Sequence, residues 1–372
     1  MTRDEKVKTL ARVLSASKQF SPQDMKRIEE KTNEQLDYIF SPLDQCIYLE
    51  ACAGSGKTEV LGLKAAYEIC KWGSDKSGIA VLTFTNEATA TIANRVATFY
   101  GRPLSSNHFI GTFSSFVHGH IAQRFGYKFY APDSDRPDKS FRVIDSDTKP
   151  YSSQWLENYK LEFPFYKMKI YASQLNYRMS CKEWFIGQRE SSKRIVDLYN
   201  EKSCQQYIAT IRERKNAPYL FQLDYLKNKI KDCKLKFWGD SFATFEDMNL
   251  IARKCLRDET ICRYIARKFP VILVDECQDL SASELGILSL LISAGTVVHY
   301  IGDLHQAIYS FKDACPEQYK AHIEAFGFKK MCLSKNFRST QKIVDLSRKI
   351  GSINYPITGS TESICGGSDC CY

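Results

Sequence analysis

Lys57, Thr58, Asp275 and Glu276 are the residues of this chain whose types and settings best suit phosphate chemistry. The first two close the run Ala51-Cys-Ala-Gly-Ser-Gly-Lys-Thr58, a loop of the form A-x-x-G-x-G-K-T. Between a buried strand and a helix, successive backbone N–H groups of such a loop turn inward and cradle phosphates, and the helix adds its positive end. Ala53, Gly54, Ser55 and Gly56 would form that cradle. Lys57 would reach the β- and γ-phosphates of a nucleotide, and the Thr58 hydroxyl would hold Mg2+. Ala51 replaces the glycine of the general pattern, and a glycine-rich turn that binds nothing is the plain alternative. The apolar run ahead of the loop and the helical periodicity behind it favour the phosphate reading.

Asp275 and Glu276 follow the wholly apolar stretch Val271–Val274. Acids at the end of a buried strand are costly unless they have partners or a cation, and ligands of parallel sheets bind at the carboxyl ends of strands. Asp275 would bind Mg2+ through water, and Glu276 would orient and deprotonate an attacking water. An Asp-Glu pair alone is commonplace; beside a phosphate loop it points to hydrolysis of a nucleoside triphosphate.

These residues need a scaffold, and the chain alternates strand-like and helix-like text. Runs at 46–50, 79–84, 109–112, 271–274 and 297–301 read as buried strands. Thr58–Trp72, Glu87–Tyr100 and Ala282–Ser293 have helical periodicity. Alternation of this kind predicts an α/β fold with a parallel sheet covered on both faces. Residues 1–34 read as polar and helical, while 116–262 become Lys-, Tyr- and Phe-rich helical text broken by the loop Ala131–Ser140. The expected division is therefore 1–115 and 263–345 for two parts of one α/β domain, 116–262 for an inserted helical basic domain, and 346–372 for the start of a further domain or a loose tail.

Composition narrows the class. Hydrophobic residues make up 44% of 372, enough for a sizeable core. The charged start and the lack of a long apolar run predict no secretory signal and no membrane span, hence a cytoplasmic protein. The 14 cysteines form no C-x-x-C pair, and Cys365, Cys370 and Cys371 match no zinc spacing, so reduced thiols are expected. Residues 151–270 carry 23 Lys and Arg against 14 Asp and Glu, whereas the remainder balances at 29 against 29. One segment thus holds the whole net charge of +9, as a polyanion-binding surface would; a solvated helical face is the alternative.

The motif series resembles the superfamily 1A DNA helicases, the UvrD/Rep/PcrA group, across residues 30–350. Gln35 stands sixteen residues before Ala51, as the family's adenine-reading glutamine does. Thr83-Phe-Thr-Asn86 with Arg95 resembles motif Ia, and Gly111-Thr-Phe-Ser-Ser-Phe116 resembles motif Ib, with Ser114 where histidine is usual. Asp275-Glu-Cys-Gln-Asp279 is similar to motif II, and Gly302-Asp-Leu-His-Gln-Ala-Ile-Tyr-Ser-Phe311 to motif III, with Lys312-Asp313 where Arg-Gly is usual. Leu333-Ser-Lys-Asn-Phe-Arg-Ser-Thr340 resembles motif IV.

The resemblance implies a RecA-like P-loop NTPase fold with an inserted, mostly helical domain. It implies Gln306 and Arg338 near the γ-phosphate and Phe337 stacked on adenine. It implies DNA contacts from Thr83, Thr85, Asn86, Thr112, Phe113, Tyr309 and Phe311, with single-stranded DNA or a single-strand/duplex junction as partner and 3′-to-5′ movement. Base–aromatic stacking contributes about 1–3 kcal/mol per base in such contacts. The family's second RecA-like domain follows motif IV, yet nothing in the 34 residues after Arg338 matches its motifs. The expectation is a fragment, or a truncated form served by a partner chain; the alternative is a non-motor module that binds ATP and DNA. A small-molecule kinase would need neither Gln278-Asp279 nor Gln306 nor the downstream Asn-Phe-Arg. Repair, replication restart, recombination and defence all remain open to such a motor.

Overall fold

The computed structural model describes residues 1–16, 19–131, 140–145, 154–162, 169–187, 191–218, 221–303, 316–351 and 356–360. Its centre is a six-stranded, all-parallel sheet. The strands are β1 (Ile47–Ala51), β2 (Ile79–Thr83), β3 (Phe109–Thr112), β4 (Val271–Val274), β5 (Val297–Gly302) and β6 (Lys329–Leu333), ordered β6-β1-β5-β4-β2-β3. Strand side chains alternate between faces, and the sequence feeds both. Ile47, Leu49, Val81, Leu273 and Ile301 enter one core, while Tyr48, Leu82, Ile272, Val274 and Tyr300 enter the other. Near-continuous apolar strands are what burial on two sides demands.

Helices α1 (Arg3–Ser15), α2 (Pro22–Glu29), α3 (Asn33–Ile39), α4 (Lys57–Lys71) and α5 (Asn86–Tyr100) belong to the first face. Each of α1, α2 and α3 begins with a capping box, on Thr2, Ser21 and Thr32, which satisfies two otherwise orphaned N–H groups per helix. On the other face, Phe245–Leu256 and Ala282–Ser293 pack on each other, and Pro316–Ala325 packs beside the latter.

The segment 116–262 is richer in strand than its text suggests. Beyond the helices Lys202–Lys215 and Leu223–Gly239, it contains an antiparallel pair, 160–162 with 169–171, and a three-stranded antiparallel sheet of Leu175–Arg178, Glu183–Ile186 and Lys193–Arg194. A separate small core of Ile170, Leu175, Ile195, Ile208, Leu226 and Ile230 holds it together. Two lysines there and in α4 are wholly buried. Lys234 is bidentate to Asp247 at 2.8 Å, and Lys64 donates to the carbonyls of Ile39 and Ser41 and to Glu68. Among the described residues, no helix is long and apolar enough to cross a membrane.

Candidate nucleotide site

The phosphate loop spans the end of β1 and the start of α4, as expected. Gly54 and Gly56 adopt φ of +70° and +79°, a region that favours glycine. A second reason holds Gly54 glycine: an added Cβ would lie 2.8 Å from Arg338 Cβ and 2.8 Å from Asn336 Oδ1. The stretch resembling motif IV therefore sits directly on the loop. Phe337 N donates to Gly54 O at 2.9 Å, and Ser334 donates through both N and Oγ to Glu34 at 2.7 Å. Asn336, nearly buried, accepts from the N–H groups of Arg338 and Ser339 at 2.8 Å each. This leaves Phe337 41% exposed, with Lys335 Nζ 4.9 Å from its ring centre, and Arg338 exposed without an ion pair among the described residues.

Gln35 is buried beside the same loop. Its Oε1 accepts from Thr32 N at 3.0 Å in the capping box, and its Nε2 donates to Ser55 O at 3.0 Å. The helix cap thus fixes the amide against the phosphate loop.

The two acids arrive at the end of β4, next to β1's neighbour β5. Lys57 Nζ lies 3.2 Å from Glu276 Oε2, bringing together residues 219 positions apart. Gln278 Nε2 donates to the same oxygen at 2.7 Å, and Gln278 Oε1 accepts from Asp303 N at 3.1 Å. Gln278 thereby links the acid pair to the start of the segment resembling motif III. Glu276 itself has φ +47°, a left-handed conformation uncommon for a non-glycine residue and costing of order 1 kcal/mol. Asp275 is 2% exposed, and its Oδ1 is buried without a hydrogen-bond partner. Burial first, and the neighbouring Glu276 second, push its carboxyl up to about 7 against the pull of Lys57. A buried carboxylate oxygen with no donor, beside a glycine cradle and an amino group, fits a site for a magnesium-bound triphosphate. Thr58 is half-buried in the first turn of α4.

The residues expected at DNA are placed unevenly. Thr85 and Asn86 are exposed where β2 gives way to α5, with Thr85 Oγ1 capping Ala88 N at 3.1 Å. Thr112 is half-buried and caps Ser115 N at 3.1 Å. Thr83 is 1% exposed, with its hydroxyl 2.6 Å from that of Thr89, and Phe113 is 1% exposed, its ring parallel to Phe84 at 6.5 Å. Phe84, half-buried at the strand end, is the ring nearer solvent. Arg95 turns inward: its Nε is 3.1 Å from Glu59, which also faces Lys31 at 3.6 Å. Gln306, Tyr309 and Phe311 lie outside the described residues, as do Cys365, Cys370 and Cys371.

Sequence reading missed Glu34, Asn336 and Asp303 as parts of the site. Asn336 and Asp303 lie inside recognised motifs, and Glu34 adjoins Gln35, but only the fold shows that Glu34 holds Ser334, that Asn336 braces the backbone of Arg338 and Ser339 against Gly54, and that the Asp303 N–H donates to the Gln278 that holds Glu276.

Comparison with known proteins agrees with this geometry. Residues 31–327 match the profile of the UvrD/REP helicase N-terminal domain. The chain is 28% identical over 325 residues to the probable DNA helicase II homolog of Mycoplasma capricolum, covering 85% of this chain and 40% of that protein. It is 25% identical over 332 residues to the ATP-dependent DNA helicase Rep of Escherichia coli, 86% of this chain and 42% of that protein. The ATP-dependent DNA helicase srs2 of Schizosaccharomyces pombe is 25% identical over 299 residues, 80% and 32% of the two chains. The chain thus spans well under half the length of these relatives. With a phosphate loop, an acid pair and a sixth strand leading to Asn336–Arg338 all meeting at one sheet edge, the chain belongs to the UvrD/REP helicase N-terminal domain family.

Proposed function

We propose that this chain is the ATP-binding part of a DNA translocase, hydrolysing ATP with Mg2+ when single-stranded DNA is engaged. Strand separation would then need a second lobe of the same general fold, from further chain or from a partner subunit. The observation that carries the reading is the meeting of Lys57, Asp275 and Glu276 under the phosphate loop.

Thr58 and Asp275 would hold the cation, which supplies charge neutralisation on the phosphates when bound. Lys57 would exchange Glu276 for phosphate oxygens. Glu276, kept in place by Gln278, would then be free to orient water and take its proton. Gln35, tied to Ser55, and Phe337, tied to Gly54, would take the base between them, and Arg338, exposed beside Gly54, would reach the γ-phosphate. Gln306 would complete the γ-phosphate contacts. Thr85, Asn86 and Thr112 stand at the carboxyl ends of β2 and β3, on the same edge of the sheet, where a strand bound there would communicate with the acids directly.

The test is ATP turnover with and without single-stranded oligonucleotide. Lys57→Ala should lose nucleotide binding or turnover, and Glu276→Gln should retain ATP but hydrolyse it slowly. Parental rates in either variant would refute the assignment. DNA binding with steep salt dependence but no turnover in the parent would make the chain a non-motor binding module instead.

A further inference from the structure

A basic surface lies at the edge of the sheet opposite the nucleotide site. The helix Glu259–Lys268 runs down to the amino end of β4, and Gly78 N, just ahead of β2, donates to Lys268 O at 2.9 Å. Lys268 is therefore at the edge where strands begin, whereas the phosphate loop and acid pair are at the edge where they end.

Lys268 Nζ lies 3.3 Å from His120 Nδ1. Burial, then Lys268 and Arg124, hold the His120 imidazole down at about 4, so at neutral pH the neutral ring accepts from the lysine. Lys268 is in turn lowered by burial and by Arg124. These two cations repel each other, yet neither has a carboxylate within ion-pair distance among the described residues. Arg124 uses its Nε on Gly119 O at 3.2 Å, which aims the guanidinium outward. His120 belongs to a π-helical turn, Val117–Ala122, which widens the helix at this point.

The surface continues with rings. Tyr264, 47% exposed, meets Phe125 edge-on at 5.9 Å, and Lys128 Nζ lies 5.7 Å from the centre of Phe125. Arg267 is exposed on the same helix, and the two acids at that helix's start are engaged: Glu259 by Arg263, Asp258 by the cap of Ile261 N. Like charges gathered with no ion pair among the described residues are costly alone and favourable beside a polyanion. An exposed ring among them favours an anion that carries flat bases, not an acidic peptide.

We propose that Arg124, Lys128, Tyr264, Arg267 and Lys268 form a second single-stranded nucleic-acid contact, separate from the track along the strand ends. It does not depend on ATP turnover. The cations would take backbone phosphates and Tyr264 a base.

The test is fluorescence anisotropy of a labelled thymidine oligonucleotide against the whole chain, without nucleotide, over a salt series. Arg124→Gln with Lys268→Gln should weaken binding about tenfold or more and reduce the slope of log K against log salt by about 1.4, two single-strand phosphate contacts. Tyr264→Ala should weaken binding about tenfold with little change in slope. Arg267→Gln, at an exposed position, guards against a folding defect at Lys268 and should lower the slope by about 0.7. Parental affinity and slope in all three variants would overturn the inference while leaving the DNA track of the first site intact. No binding by the parent would overturn both. Polyglutamate competing as well as the oligonucleotide at equal charge would overturn the nucleic-acid assignment.

Discussion

Replacing Asp275 by asparagine tests the nucleotide site through stability alone. Its carboxyl titrates at about 7 in the folded chain, against an ordinary 3.8. Between those values the folded state holds a proton that the unfolded state has lost, so folding stability falls as pH rises through the window. A shift of about three pK units corresponds to about 4 kcal/mol at full expression. An amide at this position does not ionise and carries no such penalty, while groups remote from the site titrate alike in the two proteins. The stability advantage of Asp275→Asn over the parent should therefore grow by about 2–3 kcal/mol from about pH 5 to about pH 8. Urea unfolding of both proteins across that range, without Mg2+ or nucleotide, measures it. Magnesium-dependent ATP binding should be lost in the same variant. A stability difference that stays constant with pH would show that Asp275 is an ordinary ionised carboxylate, with no need of a cation to offset its burial.

Three further outcomes follow from the contacts. Asn336→Ala strands two inward N–H groups and should cost about 1–3 kcal/mol, with weaker ATP affinity because Phe337 and Arg338 lose their support; thermal melts and nucleotide titration check both. Gly54→Ala meets both a positive φ and the Arg338 Cβ, so ATP affinity should fall at least tenfold, about 1.4 kcal/mol, while the fold persists by circular dichroism. Asp247→Ala leaves Lys234 buried with no carboxylate and should destabilise the chain by about 3–5 kcal/mol, read as a lower urea midpoint.

What the sequence disclosed follows from how local each signal was. The phosphate loop, the apolar strands β1 to β5 and the acid pair are short runs in which neighbouring residues share one fate, and each lies where its text places it. β6 was not legible, because Lys329 and Lys330 break its apolar run. It is an edge strand, and Lys330 is matched by Glu50 at 2.8 Å across the pairing with β1. The short antiparallel sheets within 160–194 were read as helix because their strands are only two to four residues long and carry mixed text. Charge counting also misled in part: it treats each lysine as surface, whereas Lys234 and Lys64 spend theirs in the interior. Thr83, Phe113 and Arg95 show the same limit from another side, since a motif fixes which residue is present but not whether it faces water, the core or Glu59.

The hydrogen bond from Phe337 to Gly54 has a mechanical meaning. Phe337 lies in the short strand Lys335–Thr340, and the helix Gln341–Gly351 follows it directly, so a pull applied there would reach the floor of the phosphate cradle through that hydrogen bond. Conversely, a loop that tightens around a triphosphate would tug that strand and whatever rides on it. Because Asn336 braces the backbone at Arg338 and Ser339, little of such a displacement would be dissipated before it reached its load.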